Sequence, residues 1–315
     1  MTATDNKTPR VSIGICLYNA EQFLTQAMDS LLAQTYRDFE LIITDNCSTD
    51  RTGEICRAYA ARDARIRYHR NDSNIGAPKN FNLAFSLARG EYFRWAAGND
   101  LCAPELIERC VEVLNKRPEV VLCYPKTTLV DENGARIRDY EDMLDLPFAL
   151  PRDRFAHVLW NIRMCNAAFG LMRSSVLKRT KCYGTYPDSD VVFLGELALH
   201  GQWVELPEHL FFRRFHDISF QKYPSPYDRM VVFDPGKNGY LSFPRWQFFL
   251  GYLSAIHRAP LSWSERMHCY AKMRICFWRW GRGLIEDLKV AAKYLLSGRH
   301  ASPSKLEYGS KPPSA

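Results

Sequence analysis

Apolar residues fall along this chain in two alternating rhythms, and the alternation sets the fold class. Val11–Leu17 is a short β-branched apolar run that stops at Tyr18-Asn19, as a buried strand does. Over residues 21–34 the apolar positions Phe23, Leu24, Ala27, Met28, Leu31 and Leu32 recur at helical spacing. The pair then repeats: a strand over 39–44 running into Asp45-Asn46-Cys47-Ser48-Thr49-Asp50, a helix over 52–61 and a strand over 65–69. Strands alternating with helices predict an α/β fold: a doubly wound, mostly parallel sheet flanked by helices, with right-handed crossovers. A turn at 71–76, a helix over 78–88, a strand over 92–96 ending in Gly98-Asn99-Asp100, a helix over 104–116 and a strand over 120–124 continue the series. Asp131-Glu132-Asn133-Gly134 has the composition of a hairpin turn. Residues 139–153, acidic and proline-containing, are expected as a mobile loop over the site, and 210–215 as a last short strand.

Beyond about residue 224 the pattern changes. Trp246, Phe249, Leu250, Leu253 and Ile256 fall on one helical face. Met267, Tyr270, Ile275, Phe277 and Trp278 crowd a second, basic helix, and 284–296 forms a third amphipathic one. Residues 1–9 are expected as a flexible start, and 299–315, rich in Ser, Pro and Lys, as a disordered tail.

Bulk composition narrows the class. With 315 residues, 46% hydrophobic and 24% charged, the chain has the make-up of an ordinary globular protein with a sizeable core. Its ten cysteines form no CxxC pair, and several, such as Cys16, Cys56 and Cys123, sit in apolar runs as small hydrophobes, which points to a reducing cytosol. The first residues hold no signal core, and nowhere do 18 apolar residues run together, so a cytoplasmic protein without a membrane span is expected. The net charge of +7 is uneven, because residues 240–315 carry +8 and leave −1 for the rest. A basic tail on a near-neutral body favours an anionic partner surface.

Candidate chemistry lies at the strand ends, where open α/β sheets bind ligands. Asp100 ends one such strand, and a carboxylate there can hold a divalent cation against a diphosphate, although it could equally cap the helix that follows. Asp45 ends another, in a segment that also has the chemistry of a turn, and Ser48 and Asp50 fit that turn role better than ligand contact. Gly76 allows a tight turn before a helix whose start, with Lys79, suits negative charge; a solvated lysine at a helix start fits equally. In Tyr186-Pro187-Asp188-Ser189-Asp190, an acid precedes a helix over 191–200, as a general base or as its cap. Arg214 and His216 alternate with Phe215 and so share a face of an extended segment.

Set in order, VSIGICLYN, ELIITDNCSTD, NDSNIGAPKNFNLA and GEYFRWAAGND resemble the nucleotide-binding half of the family-2 glycosyltransferases, which have a GT-A fold. The likeness is strong over about residues 10–125 and weaker to about 216. It implies a GT-A domain over 10–223, with 10–125 as the nucleotide-binding half and 126–223 as the acceptor half, followed by a basic aromatic helical extension over 224–298. By this resemblance Tyr18, Asn19, Asp45, Gly76, Lys79 and Asn99 bind the nucleotide, Asp45 through the base. Asp100 holds Mg²⁺ or Mn²⁺, Arg214 and His216 contact the diphosphate, and Asp190, with Asp188 as runner-up, is the catalytic base.

The implied reaction is inverting transfer of a sugar from a nucleotide-diphospho sugar, UDP-linked by preference, to a hydroxyl of a glycan or lipid-linked acceptor. Two departures from the family pattern are Leu17, where many members have proline, and Asn99, where an acid is commoner. Asn99 removes one negative charge from the metal corner and favours a second reading, a catalytically impaired relative that binds nucleotide or glycan as an assembly partner. In the tail, Trp246, Trp263, Trp278 and Trp280 interleave with Arg245, Arg274, Arg279 and Arg282. Such helices either dock on the domain or lie at an anionic membrane surface through 240–298, on the inner face. With no recognised nucleic-acid module beside the charge, nucleic acid is not expected.

Overall fold

A computed structural model describes residues 8–215, 226–237 and 241–296. β1 (Val11–Leu17), β2 (Phe39–Asp45), β3 (Ile66–Arg70) and β4 (Tyr92–Ala97) are joined by α1 (Glu21–Leu32), α2 (Thr52–Arg62) and α3 (Ala77–Ser86). The four strands pair in parallel in the order β3-β2-β1-β4. β1 and β2 are buried almost throughout, because both faces of the sheet are covered, and so they read as continuous apolar runs. The chain places β2 and β3 on one side of β1 and then returns to set β4 on the other. That reversal opens a crevice beyond the carboxyl ends of β1 and β4.

β5 (Leu101–Cys102) and α4 (Leu106–Lys116) lead into β6 (Val120–Val130), which turns into β7 (Arg136–Tyr140). After α5 (Pro151–Asn161) and a 3-10 turn (Asn166–Phe169) come β8 (Leu171–Arg173), α6 (Ser174–Leu177), α7 (Ser189–His200) and β9 (Gln202–Arg214). β8 lies antiparallel between β4 and β6, β9 runs parallel to β6, and β5 closes against β9. The whole is a curled, mostly parallel sheet flanked by helices, with C-terminal helices beyond it.

Alternation along β4 joins the two faces of this sheet. Tyr92 and Ala96 point into one apolar cluster with β1 and α1, while Phe93 and Trp95 point into a second one with α7. In the second, Trp95 meets Phe93, Tyr183 and Phe193 edge-on with ring centroids 4.9, 4.9 and 5.4 Å apart. α7 is thereby packed directly on the strand that ends at the crevice.

Three expectations need correction. The strands expected at 120–124 and 210–215 are far longer, because β6 and β9 pair along most of their length across register shifts near Lys126. Polar residues such as Lys126, Thr127 and Thr128 hide this from the apolar pattern. Residues 141–150 are not a mobile loop over the site: Asp142, Leu144 and Leu146 are buried in alternation, and Leu146 bridges Trp203. Finally, the tail helices divide at Met273 rather than near residue 280.

Those helices are α8 (Pro226–Phe233), α9 (Pro244–Arg258), α10 (Trp263–Lys272) and α11 (Arg274–Leu296). Phe248, Tyr252, Ile256, Cys269 and Ile275 bury themselves against Phe155 and Leu159 of α5 and Val192 of α7. A Cβ at Gly195 of α7 would overlap the Tyr252 ring, so this glycine sets how closely α9 approaches. The Tyr252 hydroxyl donates to the Val191 carbonyl at 3.0 Å, and Arg258 pairs with buried Glu196 at 2.9 Å. One face of the extension therefore docks on the domain.

Candidate active site

Register brings the strand ends together: Leu17 lies beside Asp45, and Cys16 beside Ala97. Tyr18, Asn19, Asp45, Asn99 and Asp100 consequently share one rim. The Tyr18 ring stands out from it, 51% exposed. Asn19 adopts a left-handed φ of 48° and braces two turns. Its side-chain oxygen accepts from the Thr49 N–H at 2.9 Å, and its own N–H donates to Ser48 Oγ at 3.0 Å. The Asp45 carboxylate is fully buried; it accepts from the Ser48 N–H at 2.9 Å and the Tyr68 hydroxyl at 2.8 Å, with Arg70 at 3.4 Å. Burial and this carboxylate push the Tyr68 phenol above its ordinary value. A carboxylate offers more lone pairs than these donors use, so a base N–H could still share it. Asp50 accepts the N–H groups of Glu21 and Thr52, the role of a turn former.

Asn46 and Asn71 join Asn74 and Asn80, which flank the Gly76–Lys79 cluster, in organising the next loop. Asn71 Nδ2 donates to Asn46 Oδ1 at 3.1 Å and to Asn80 Oδ1 at 3.0 Å, and Asn46 Nδ2 donates to Asn74 Oδ1 at 2.7 Å. Asn80 Nδ2 in turn holds the Thr44 carbonyl at 2.9 Å. The signal was available, since asparagines recur where each strand of this half gives way to a loop. Gly76 sits at φ 87°, and a Cβ there would lie 2.6 Å from the Phe233 carbonyl oxygen, so both backbone shape and space require glycine. Lys79, half exposed on the first turn of α3, stands 3.7 Å from Asp234.

Asp100 is buried at the end of β4, and its Oδ1 accepts from the Arg214 backbone N–H at 2.9 Å. The Arg214 side chain departs from expectation. It does not present its charge to an open diphosphate site but is 3% exposed, with its guanidinium inside the protein. Nε donates to the Asn99 carbonyl at 2.9 Å, Nη1 to the carbonyls of Asp131 and Glu132, and Nη2 to Gln26 Oε1 at 2.6 Å. The group also stacks on Phe23 at 4.3 Å. Arg214 thus holds the Asn99-Asp100 turn in place. His216, expected to share its face, lies outside the described residues.

β9 sends its next-to-last side chain the other way. The Arg213 guanidinium donates to the Met164 carbonyl and Asn166 Oδ1, both at 2.6 Å, and lines a cavity of about 190 Å³ with Asp190. Phe81 of α3, Cys165, Tyr183 and Ser189 complete much of its wall. Arg213 is a functional candidate that face-sharing arguments passed over. Asp190 occupies the first turn of α7, where its Oδ1 accepts from the Val191 N–H at 2.9 Å. Burial first, and the nearby Asp188 charge second, raise its pKa against the pull of the Val191 N–H and the Cys165 thiol. Asp188, at a left-handed φ of 61°, is exposed and stands 3.8 Å from Arg229. The two acids are thus on different sides of one helical turn.

Among the described residues no three His, Cys, Asp or Glu side chains converge as a metal cage. Asp100 with the neutral oxygen of Asn99 fits a hard cation that takes most of its ligands from a diphosphate and water, not one held by protein alone.

Asp100 thus stands at the switch point of a doubly wound sheet, where folds of this class bind their ligands. The sequence model for Glycosyl transferase family 2 matches residues 12–180, more than half of the chain, and the chain belongs to that family. It is 34% identical over 132 residues to EpsE of Bacillus subtilis (strain 168), named as a glycosyltransferase; the match covers 42% of this chain and 48% of EpsE, so the chain spans about half the length of that relative. S. aureus TarS residues 1–349 in complex with UDP superpose with a TM-score of 0.64 at 17% identity, over 94% of this chain and 80% of that one. TarS has also been solved with UDP-GlcNAc. Mannosyltransferase PcManGT from Pyrobaculum calidifontis, in complex with GDP-Man and Mn²⁺, gives a TM-score of 0.50 at 14% identity, covering 92% of this chain and 88% of that one. At such identities these structures establish the fold.

Removing Arg214 leaves several buried acceptors unpaired, whereas half-exposed Lys79 meets the largely buried Asp234 carboxylate only at 3.7 Å. Arg214→Ala is expected to cost about 3 kcal/mol or more in urea unfolding, and Lys79→Ala about 1 kcal/mol or less. Equal, small losses would contradict the structural role of Arg214.

Proposed function

We propose that this chain moves a sugar from a nucleotide-diphospho sugar, with UDP as the nucleotide, to a hydroxyl of a glycan or lipid-linked acceptor, by single displacement with inversion. One observation carries this: Arg214 and Arg213, neighbours on β9, fix the Asp100 corner and the Asp190 cavity on two sides of a single strand end. The residues from 10 to 125 serve the donor and those from 126 to 223 the acceptor, with 224–298 as the extension. Similarity to TarS, solved with UDP and with UDP-GlcNAc, supports the choice of donor.

In this reading Tyr18 and Asp45 receive the base, Asn19 shapes the turn beneath it, and Gly76 and Lys79 flank the phosphates. Asp100, with Asn99, would hold Mg²⁺ or Mn²⁺, which neutralises charge on the departing diphosphate. Asp190 takes the proton from the acceptor hydroxyl. The freed oxygen attacks the anomeric carbon in line, its bond to the diphosphate oxygen breaks, and the nucleoside diphosphate leaves. Arg213, on the wall of the same cavity, orients the acceptor. Asn99 supports the alternative, an impaired relative that binds nucleotide or glycan as an assembly partner.

Asp190→Asn is expected to lower transfer by about 10²-fold or more while UDP binding in Mn²⁺ stays intact. Asp100→Ala should weaken that binding as well. Because the base must be ionised and its pKa is raised, the wild-type rate should fall as pH drops through a value above the usual carboxylate range. Asp188→Asn removes a like charge and should move that limb to lower pH with turnover retained. If Asp188→Asn abolishes transfer and Asp190→Asn does not, the base is misassigned. UDP binding without turnover on any acceptor would favour the assembly-partner reading, and no UDP binding would sink both.

The undocked face of the extension suits an anionic membrane surface, on the cytoplasmic side. Trp263, Phe277, Trp278, Ile285 and Leu288 are exposed there, and α11 also carries Arg282, Lys289 and Lys293. No helix among the described residues is long and apolar enough to cross a membrane. Co-sedimentation with phosphatidylglycerol vesicles at low salt is expected for the wild type and to be largely lost in Phe277→Ser/Trp278→Ser. Unchanged binding by that variant would remove α11 from the contact.

A further inference from the structure

We infer that a second cavity, between the start of α7 and the C-terminal helices, binds the phosphate of an amphipathic acceptor and seats the adjoining apolar chain on aromatic rings. This rests on the transfer reading above and names the acceptor class for it. The cavity has a volume of about 470 Å³, and Arg163, Arg245, Arg279 and Arg282 all contribute to its lining. Among the described residues only one carboxylate, that of Asp188, joins them there.

The charges are largely uncompensated. Arg245 pairs with buried Asp287 at 3.1 Å. Arg163, by contrast, donates to the Trp160 and Ile162 carbonyls, and Arg279 to the Leu159 and Trp160 carbonyls. Backbone carbonyls satisfy the N–H groups without cancelling the charge. Arg282 is exposed and makes no ion pair among the described residues. Burial, and after it the neighbouring Arg163 charge, lower the Arg279 pKa, so these cations repel one another until an anion enters. Guanidinium groups match phosphate oxygens with paired donors.

Inorganic phosphate alone would not need the rest of the wall. Phe248, Phe249 and Trp280 supply apolar surface, and Trp280 also stacks under Arg279 at 4.5 Å. Exposed Phe277 and Trp278 precede Arg279 on α11 and continue that apolar surface outward. Position supplies the link to catalysis. Asp188 and Val191 line this cavity while Ser189 and Asp190 line the other, so the two lie on opposite sides of the first turn of α7, about 10 Å apart across the helix. A phosphate held here leaves the glycan attached to it to reach round the start of α7 to the base.

Isothermal titration of the intact chain with dodecyl phosphate below its critical micelle concentration tests the assignment. Dodecyl phosphate should bind at least about tenfold more tightly than inorganic phosphate or neutral dodecyl maltoside. Arg163→Ala/Arg282→Ala should weaken it by about tenfold, with UDP affinity and circular dichroism unchanged. Equal affinity for dodecyl maltoside, or an unaltered affinity in the variant, would overturn the inference. Equal binding of dihexanoyl phosphatidylglycerol would assign the cavity to bulk lipid headgroups and overturn the acceptor role. A parallel UDP titration keeps the failures apart: loss there strikes the transfer reading, not the anion site.

Discussion

One buried guanidinium holds the donor corner together. Arg214 reaches the Asn99 carbonyl, the carbonyls of the turn after β6 and Gln26 on α1, and its own N–H meets Asp100. Segments far apart in sequence are joined on one planar fork, and the stacked Phe23 ring fixes its plane. A lysine could satisfy one or two of these acceptors but not the set. Asp100 is therefore aimed by packing before any ligand arrives.

The acceptor side depends on a different force. α7 rests through its Phe193 ring on Trp95 and Tyr183, and α9 interlocks with it through Gly195 and Tyr252. Edge-on aromatic contacts contribute about 0.5–1.5 kcal/mol each beyond the area they bury, and they resist sliding because the rings interdigitate. The C-terminal helices are thus part of what positions Asp190. They also leave arginines around a cavity on the other side of the same helical turn.

The strands of the first half of the sheet were legible because they are buried on both faces and end in polar turns. Apolar runs therefore marked β1, β2 and β4, and the residues just past them marked Tyr18, Asp45 and Asp100. Register then did the rest, as Leu17 beside Asp45 shows. The acceptor half was harder to read. β6 and β9 carry polar residues on a sheet whose neighbours were not known, and residues 141–150 are anchored by only a few buried side chains. Arg214 was misread for a related reason: alternation identifies which residues share a face but not whether that face looks outward. The asparagine ladder of Asn46, Asn71, Asn74 and Asn80 was visible as recurring asparagines, but which of them pair is set by contacts between loops.

The Asp100 corner and the Asp190 cavity are proposed to serve one reacting centre. A crystal structure with a non-hydrolysable UDP-sugar and Mn²⁺ measures this directly. The account expects the cation between Asp100 and the diphosphate, with the sugar's anomeric carbon facing the Asp190 cavity. A diphosphate bound away from Asp100, or a sugar directed away from Asp190, would contradict it.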